Sequence, residues 1–188
     1  DNILISQLFG PADVTNFNIA YKYFSIISII FSIILTPYWT AFTEAFHKND
    51  FSWIKECMKK LYKYWLLSVC FLFIMICCAN FVYGVWVGDN IFIPLNLSIA
   101  ICFYISIVNW NAIFSIFING VGKIRLQILL APLVGLLNIP LSIYLVKVLG
   151  FGIYAMPLSN FICLILGAII GFVQYRKIIS NNANGIWN

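Results

Sequence analysis

One histidine, six cysteines and six carboxylates are all that this 188-residue chain offers to acid–base, thiol or metal chemistry. Their spacing assembles none of them into a reactive set. His47 stands near Glu44 in a basic segment with no second ligand at metal spacing, which reads as a loop histidine. Cys57, Cys70, Cys77, Cys78, Cys102 and Cys163 form neither a Cys-x-x-Cys pair nor a finger pattern, and nearly all fall in apolar stretches, where a thiol acts as a small apolar filler. The sequence therefore predicts no catalytic centre, no metal site, no cofactor and no enzyme. What it does hold is a set of helix-breaking, hydroxyl and amide residues inside apolar runs: Thr36, Pro37 and Thr40; Asn109 and Asn111; Pro132, Asn138 and Pro140; Pro157 and Asn160. A proline frees a backbone carbonyl, and without water that carbonyl must be met by a hydroxyl, an amide or a wet cavity. Pro37, Pro132, Pro140 and Pro157 are thus hinge candidates, and Thr36, Thr40, Asn109 and Asn138 are candidates to line a polar path.

The elements that carry these residues are set by charge. Residues 64–88 contain no charged side chain, and charge-free stretches recur at 23–43, 90–122, 126–146 and 148–175. A helix of about 20 apolar residues crosses the hydrocarbon of a bilayer, where a single charge costs about 2.5–3.5 kcal/mol on insertion scales. With 63% hydrophobic residues, 9% charged residues and a mean hydropathy of +0.97, the chain is excluded from the ordinary soluble classes. The expected fold is an all-α, polytopic transmembrane bundle with spans near 19–42, 64–87, 94–118, 126–147 and 152–175. Residues 1–10 are too short to span and are expected to be the end of a truncated helix, which makes 11–188 the bundle proper. Gly10-Pro11-Ala12-Asp13 reads as a turn, with Asp13 or Thr15 able to cap the next helix.

Topology follows from the basic residues. Lys48, Lys55, Lys59, Lys60, Lys63, Lys123, Arg125, Arg176 and Lys177 fall on one side of these spans, against Lys22 and Lys147 on the other. By the positive-inside rule the first side, with the C-terminus, is cytoplasmic. The net charge of +5 is then a topology signal and a contact with anionic membrane lipids, not a nucleic-acid surface, since no base-reading motif accompanies it. Between 48 and 65 the residues Phe51, Ile54, Met58, Leu61 and Trp65 mark one face of an amphipathic helix whose other face is lysine-rich, the pattern of an interfacial segment. Gly167-Ala-Ile-Ile-Gly171 is a ridge for close helix approach, within the chain or between copies. Asp1, at the head of the truncated helix, is the carboxylate placed for membrane depth, while Lys22, Lys123 and Arg125 sit at span ends, within reach of headgroups or an anionic ligand.

Several stretches resemble a known family. Asp1-Asn-Ile-Leu-Ile-Ser-Gln-Leu-Phe-Gly-Pro11 with Tyr21-Lys-Tyr-Phe24, then Leu35-Thr-Pro-Tyr-Trp-Thr-Ala-Phe-Thr-Glu-Ala45, and Asn119-Gly-Val-Gly-Lys-Ile-Arg-Leu-Gln127 with Asn138-Ile-Pro-Leu-Ser142, are similar to O-antigen and capsular polysaccharide flippases. These belong to the multidrug/oligosaccharidyl-lipid/polysaccharide exporter superfamily. The resemblance implies the second half of a twelve-helix exporter of the bacterial inner membrane. Such a protein moves an undecaprenyl-diphosphate-linked oligosaccharide by alternating access between two six-helix bundles. The implied partners are that lipid-linked oligosaccharide, the missing N-terminal bundle of the same protein and polysaccharide-assembly proteins. A diphosphate needs cations on its way, and of the available Lys22, Lys123 and Arg125 the last two are expected to meet it at the cytoplasmic mouth, with Thr36, Thr40 and Asn109 along the path. Rival readings are a multidrug exporter of related fold, a membrane-bound enzyme of the polysaccharide pathway and a structural membrane subunit. The short outward turns argue against a catalytic loop, and the excess of cations over intramembrane acids argues for an anionic substrate.

Overall fold

The computed structural model describes residues 2–88 and 92–187. It is an all-helical bundle: α1 Asn2–Leu8, α2 Pro11–Leu35, α3 Tyr38–His47, α4 Phe51–Val87, α5 Leu95–Gly120, α6 Arg125–Lys147 and α7 Ala155–Ile179, followed by a short 3-10 turn at Gly185–Trp187. Five helical stretches are long and apolar enough to cross a membrane, with α2 and α3 together forming the first. The chain is a polytopic membrane protein. Asp1, and the Asp89 and Asn90 of the turn expected after the second span, lie outside the described residues.

Three boundaries differ from the sequence reading, each for a local reason. The first span starts at Pro11, not near residue 19, because Gly10 takes a positive φ of 102° that closes off α1 and Pro11 enters at the first helical position, where its missing N–H costs nothing. Asp13 is consequently inside the first turn and Thr15 one turn in; Gly10 is the capping position, and the Thr15 hydroxyl donates back to the Pro11 carbonyl. Lys22 therefore stands at the middle of α2, about 16 Å from its start. The same span breaks at Thr36-Pro37, where Thr36 donates its hydroxyl to the Ser32 carbonyl and Thr40 to that of Pro37. Pro37 stands at this break, so that the expected single helix is two, α2 and α3.

The third difference concerns the amphipathic segment. It is not a separate interfacial helix but the opening turns of α4, which runs unbroken for 37 residues, about 55 Å. Asp50 caps it, accepting from the Trp53 amide at 3.0 Å and the Ser52 hydroxyl at 2.7 Å, and these donors hold its carboxyl below the usual aspartate range. The contribution of this cap to α4 is present at neutral pH and is lost as pH falls through that lowered pKa. The apolar stripe lies on protein instead of lipid: Ile54, Met58 and Leu61 are fully buried in one cluster with Phe42 of α3 and Ile113, Phe114 and Phe117 of α5.

The central element is α5, which packs against α2, α3, α4 and α7, whereas α6 leans chiefly on α7. Cross-helix pairs establish the directions. Ser28 with Asn109 and Tyr21 with Tyr104 make α2 parallel to α5, Tyr83 with Ser98 and Trp65 with Ser106 make α4 antiparallel to it, and Asn111 with Leu164 and Phe117 with Tyr175 make α7 parallel. The glycine ridge faces inward: a Cβ on Gly167 would meet the Asn111 amide at 3.4 Å, and one on Gly171 would meet the Phe114 Cβ at 3.1 Å. Its use in this fold is α5–α7 packing.

Candidate functional site

Polar groups in a helix bundle of this kind have two fates, pairing between helices or facing open space, and the candidate residues divide between them. Asn138 belongs to the first group. Its amide donates to the Ser159 hydroxyl at 3.2 Å and to the Asn160 side-chain oxygen at 2.8 Å, while the Ser142 and Ser159 hydroxyls meet at 2.6 Å, so α6 is tied to α7 through a four-residue network. Asn138→Leu is expected to cost about 1 kcal/mol, the scale of interhelical hydrogen bonds in membranes, and to be measured as a lower unfolding midpoint of the full chain in detergent.

Asn109 is also interior. It is 2% exposed, its side-chain oxygen accepts from the Ser28 hydroxyl at 2.8 Å, and its Nδ2 has no partner among the described residues. A buried unsatisfied donor costs about 1–3 kcal/mol, while the half-buried Ser28 can turn its hydroxyl to a carbonyl one turn back. Asn109→Leu is therefore expected to leave stability unchanged within about 0.5 kcal/mol, or to raise it.

The hinge candidates separate as well. Pro132 and Pro140 lie exposed inside α6, which stays helical through both, and this is the helix least covered by the rest of the chain. Pro157 is the third residue of α7 and buried, a place where its missing N–H interrupts no intrahelical bond. Thr36 and Thr40 are exposed at the Pro37 break, with their hydroxyls engaged by their own helix.

The cations gather at one end. The end of α3, the start of α4, the α5–α6 turn and the end of α7 are joined there: Thr43 donates to the Gly120 carbonyl at 2.7 Å, the Lys123 ammonium lies over the Phe46 ring at 5.5 Å, and Gln174 donates to the Lys123 carbonyl at 2.9 Å. Lys177 lies 4.0 Å over the Trp187 ring, which folds the tail back against this surface. Among the described residues the ion pair is Lys48 with Glu44, so Lys123, Arg125 and Arg176 have no carboxylate partner. Arg125 is exposed as the first residue of α6, where the partial positive charge of the helix N-terminus opposes a cation and the two together favour an anion. Lys147 marks the opposite end of α6.

From the basic end a cavity of ≈ 410 Å³ runs between α5, α6 and α7, with Asn111, Ser115, Gln127 and Gln174 as its polar lining. Gln127 donates to Ser115 at 3.4 Å across it. Of these only Asn111 stood out in the sequence; Ser115, Gln127 and Gln174 lie on three different helices, and nothing in linear order brings them together. Among the described residues no group of three or more histidine, cysteine or acidic side chains is placed to hold a metal ion.

Comparison with known proteins agrees in kind. No family model matches the chain, and no solved structure matches it. A curated protein of Yersinia pseudotuberculosis named "Putative O-antigen export protein" is 24% identical over 127 residues, which are 66% of this chain and 29% of that protein. The chain is thus a polytopic helical membrane protein similar over two thirds of its length to under a third of an O-antigen export protein.

Proposed function

We propose that this chain is part of a polysaccharide exporter that carries a lipid-linked oligosaccharide across the bacterial inner membrane, cycling between inward-open and outward-open states with a second bundle as its partner. The observation that carries the reading is the alignment with an O-antigen export protein over residues that form an apolar helix bundle. Physical chemistry supports it. A diphosphate and its sugars cannot enter hydrocarbon unaided, so a carrier must offer cations at its mouth and polar surface beyond. Among the described residues Lys123 and Arg125 have no carboxylate partner, and they precede the cavity-lining Gln127 in the chain, which suits them to the mouth of such a path. That end is then cytoplasmic, as the basic residues indicate.

The test is genetic and chemical. Deleting the gene in its host is expected to abolish surface polysaccharide and to accumulate lipid-linked repeat units on the cytoplasmic leaflet; the doubly substituted Lys123→Ala/Arg125→Ala protein, expressed at wild-type level, is expected to restore export only weakly. Full surface polysaccharide in the deletion strain would end the reading, and full rescue by the double variant would remove these two residues from it.

A further inference from the structure

A second concavity lies at the opposite half of the bundle, away from the basic end. Its volume is ≈ 440 Å³, within the roughly 300–1,000 Å³ of small-molecule sites, and its walls are Asn2 and Ile3 of α1, Phe17, Asn18 and Tyr21 of α2 and Tyr104 of α5. The rings are ordered: Phe17 and Tyr21 stack at 6.0 Å with planes 8° apart, and Tyr21 meets Tyr104 at 6.3 Å. The polar groups are not consumed by the fold. Among the described residues the amides of Asn2 and Asn18 and the hydroxyls of Tyr21 and Tyr104 make no hydrogen bond, and none is buried as an orphan.

Tyr104 is the tenth residue of α5, about 13 Å along that helix, and Tyr21 is the eleventh of α2. Lys22 is exposed one turn beyond Asn18 on the same stripe of α2. Unpaired amides and phenols and a free ammonium cost free energy against acyl chains, so this stripe suits a wet or polar surrounding.

We propose that this pocket is a glycan subsite that holds a hexose-like ring of the transported oligosaccharide. Flat rings accept the apolar C–H face of a sugar, and free amides and phenols read its hydroxyls, a division of labour that neither a lipid tail nor a bare phosphate needs. The proposal rests on the export reading above for the identity of the sugar, but its test stands apart from it.

The probe is the repeat-unit oligosaccharide released from the host polysaccharide, free of lipid and diphosphate, added to the full-length protein in nanodiscs. Saturation-transfer NMR is expected to show magnetisation passing to sugar C–H protons, with affinity falling about ten-fold in Tyr21→Ala and Asn18→Ala. Tyr144→Ala, on the far helix α6, is expected to bind as the wild type does. Tyr104→Phe, which keeps the ring and the packing, isolates the hydroxyl and is expected to weaken binding by less. No transfer to the wild type, or equal transfer to wild type, Tyr21→Ala and Asn18→Ala, overturns the subsite. If the deletion strain accumulates lipid-linked units while the oligosaccharide fails to bind, the exporter stands and the pocket falls. Binding here in a protein whose deletion leaves surface polysaccharide intact leaves the pocket and removes the exporter.

Discussion

Gly120→Val is expected to destabilise the bundle by about 3 kcal/mol, at the upper end of what overpacking costs. A Cβ at this position would lie 2.9 Å from the backbone oxygen of Trp39 and 3.2 Å from the Cβ of Phe42. Neither is the far end of a flexible side chain, so α3 as a whole must move away from α5. That motion would also break the hydrogen bond from Thr43 to the Gly120 carbonyl, which ties the two helices at 2.7 Å. Denaturant unfolding of the full chain in mild detergent measures the loss. Gly135→Ala is the control, because a Cβ there meets nothing within 4 Å and α6 should gain from the better helix former. Equal stability of Gly120→Val and the wild type would mean that α3 does not lie on α5 as described.

The second large effect is expected from Phe114→Ala. This ring is 1% exposed and has ring neighbours on three helices: Tyr62 at 6.2 Å, Trp110 at 5.3 Å, Phe172 at 6.0 Å and Tyr175 at 6.2 Å. Its removal opens a void where α4, α5 and α7 meet. In water-soluble cores such truncations cost about 3–5 kcal/mol. The lower figure is expected here because lipid is as apolar as the core, leaving the lost dispersion contacts and the void as the cost. Phe81→Ala, at a side chain 75% exposed, should change the same unfolding midpoint very little. A similar loss in both variants would contradict the aromatic hub.

Both experiments probe what linear order could not show. The number of spans and their approximate limits were legible because charge is expelled from hydrocarbon wherever a helix crosses it, whatever that helix touches. Which side of each span faces protein was not. In a lipid surrounding, the packed face and the acyl-facing face are both apolar, so hydrophobic periodicity loses the contrast that marks a core in water. That is why the stripe Ile54–Met58–Leu61 read as a membrane-surface anchor until Phe42 and Phe117 were found against it, and why Gly167 and Gly171 could be read for either internal or external contact until Asn111 and Phe114 were found opposite them.

The amides divide along the same line. From sequence, Asn109 and Asn138 were equally suited to line a path, yet one is enclosed between α2 and α5 and the other ties α6 to α7. The residues that line the second concavity, Asn18, Tyr21 and Tyr104, carry no signal of their own, since single tyrosines and asparagines in and beside spans are ordinary. Composition and charge determined by themselves that this is a multi-span helical membrane protein. Only the tertiary structure decided which polar side chains are paired off and which remain available, because pairing depends on distances between helices that are far apart in the chain.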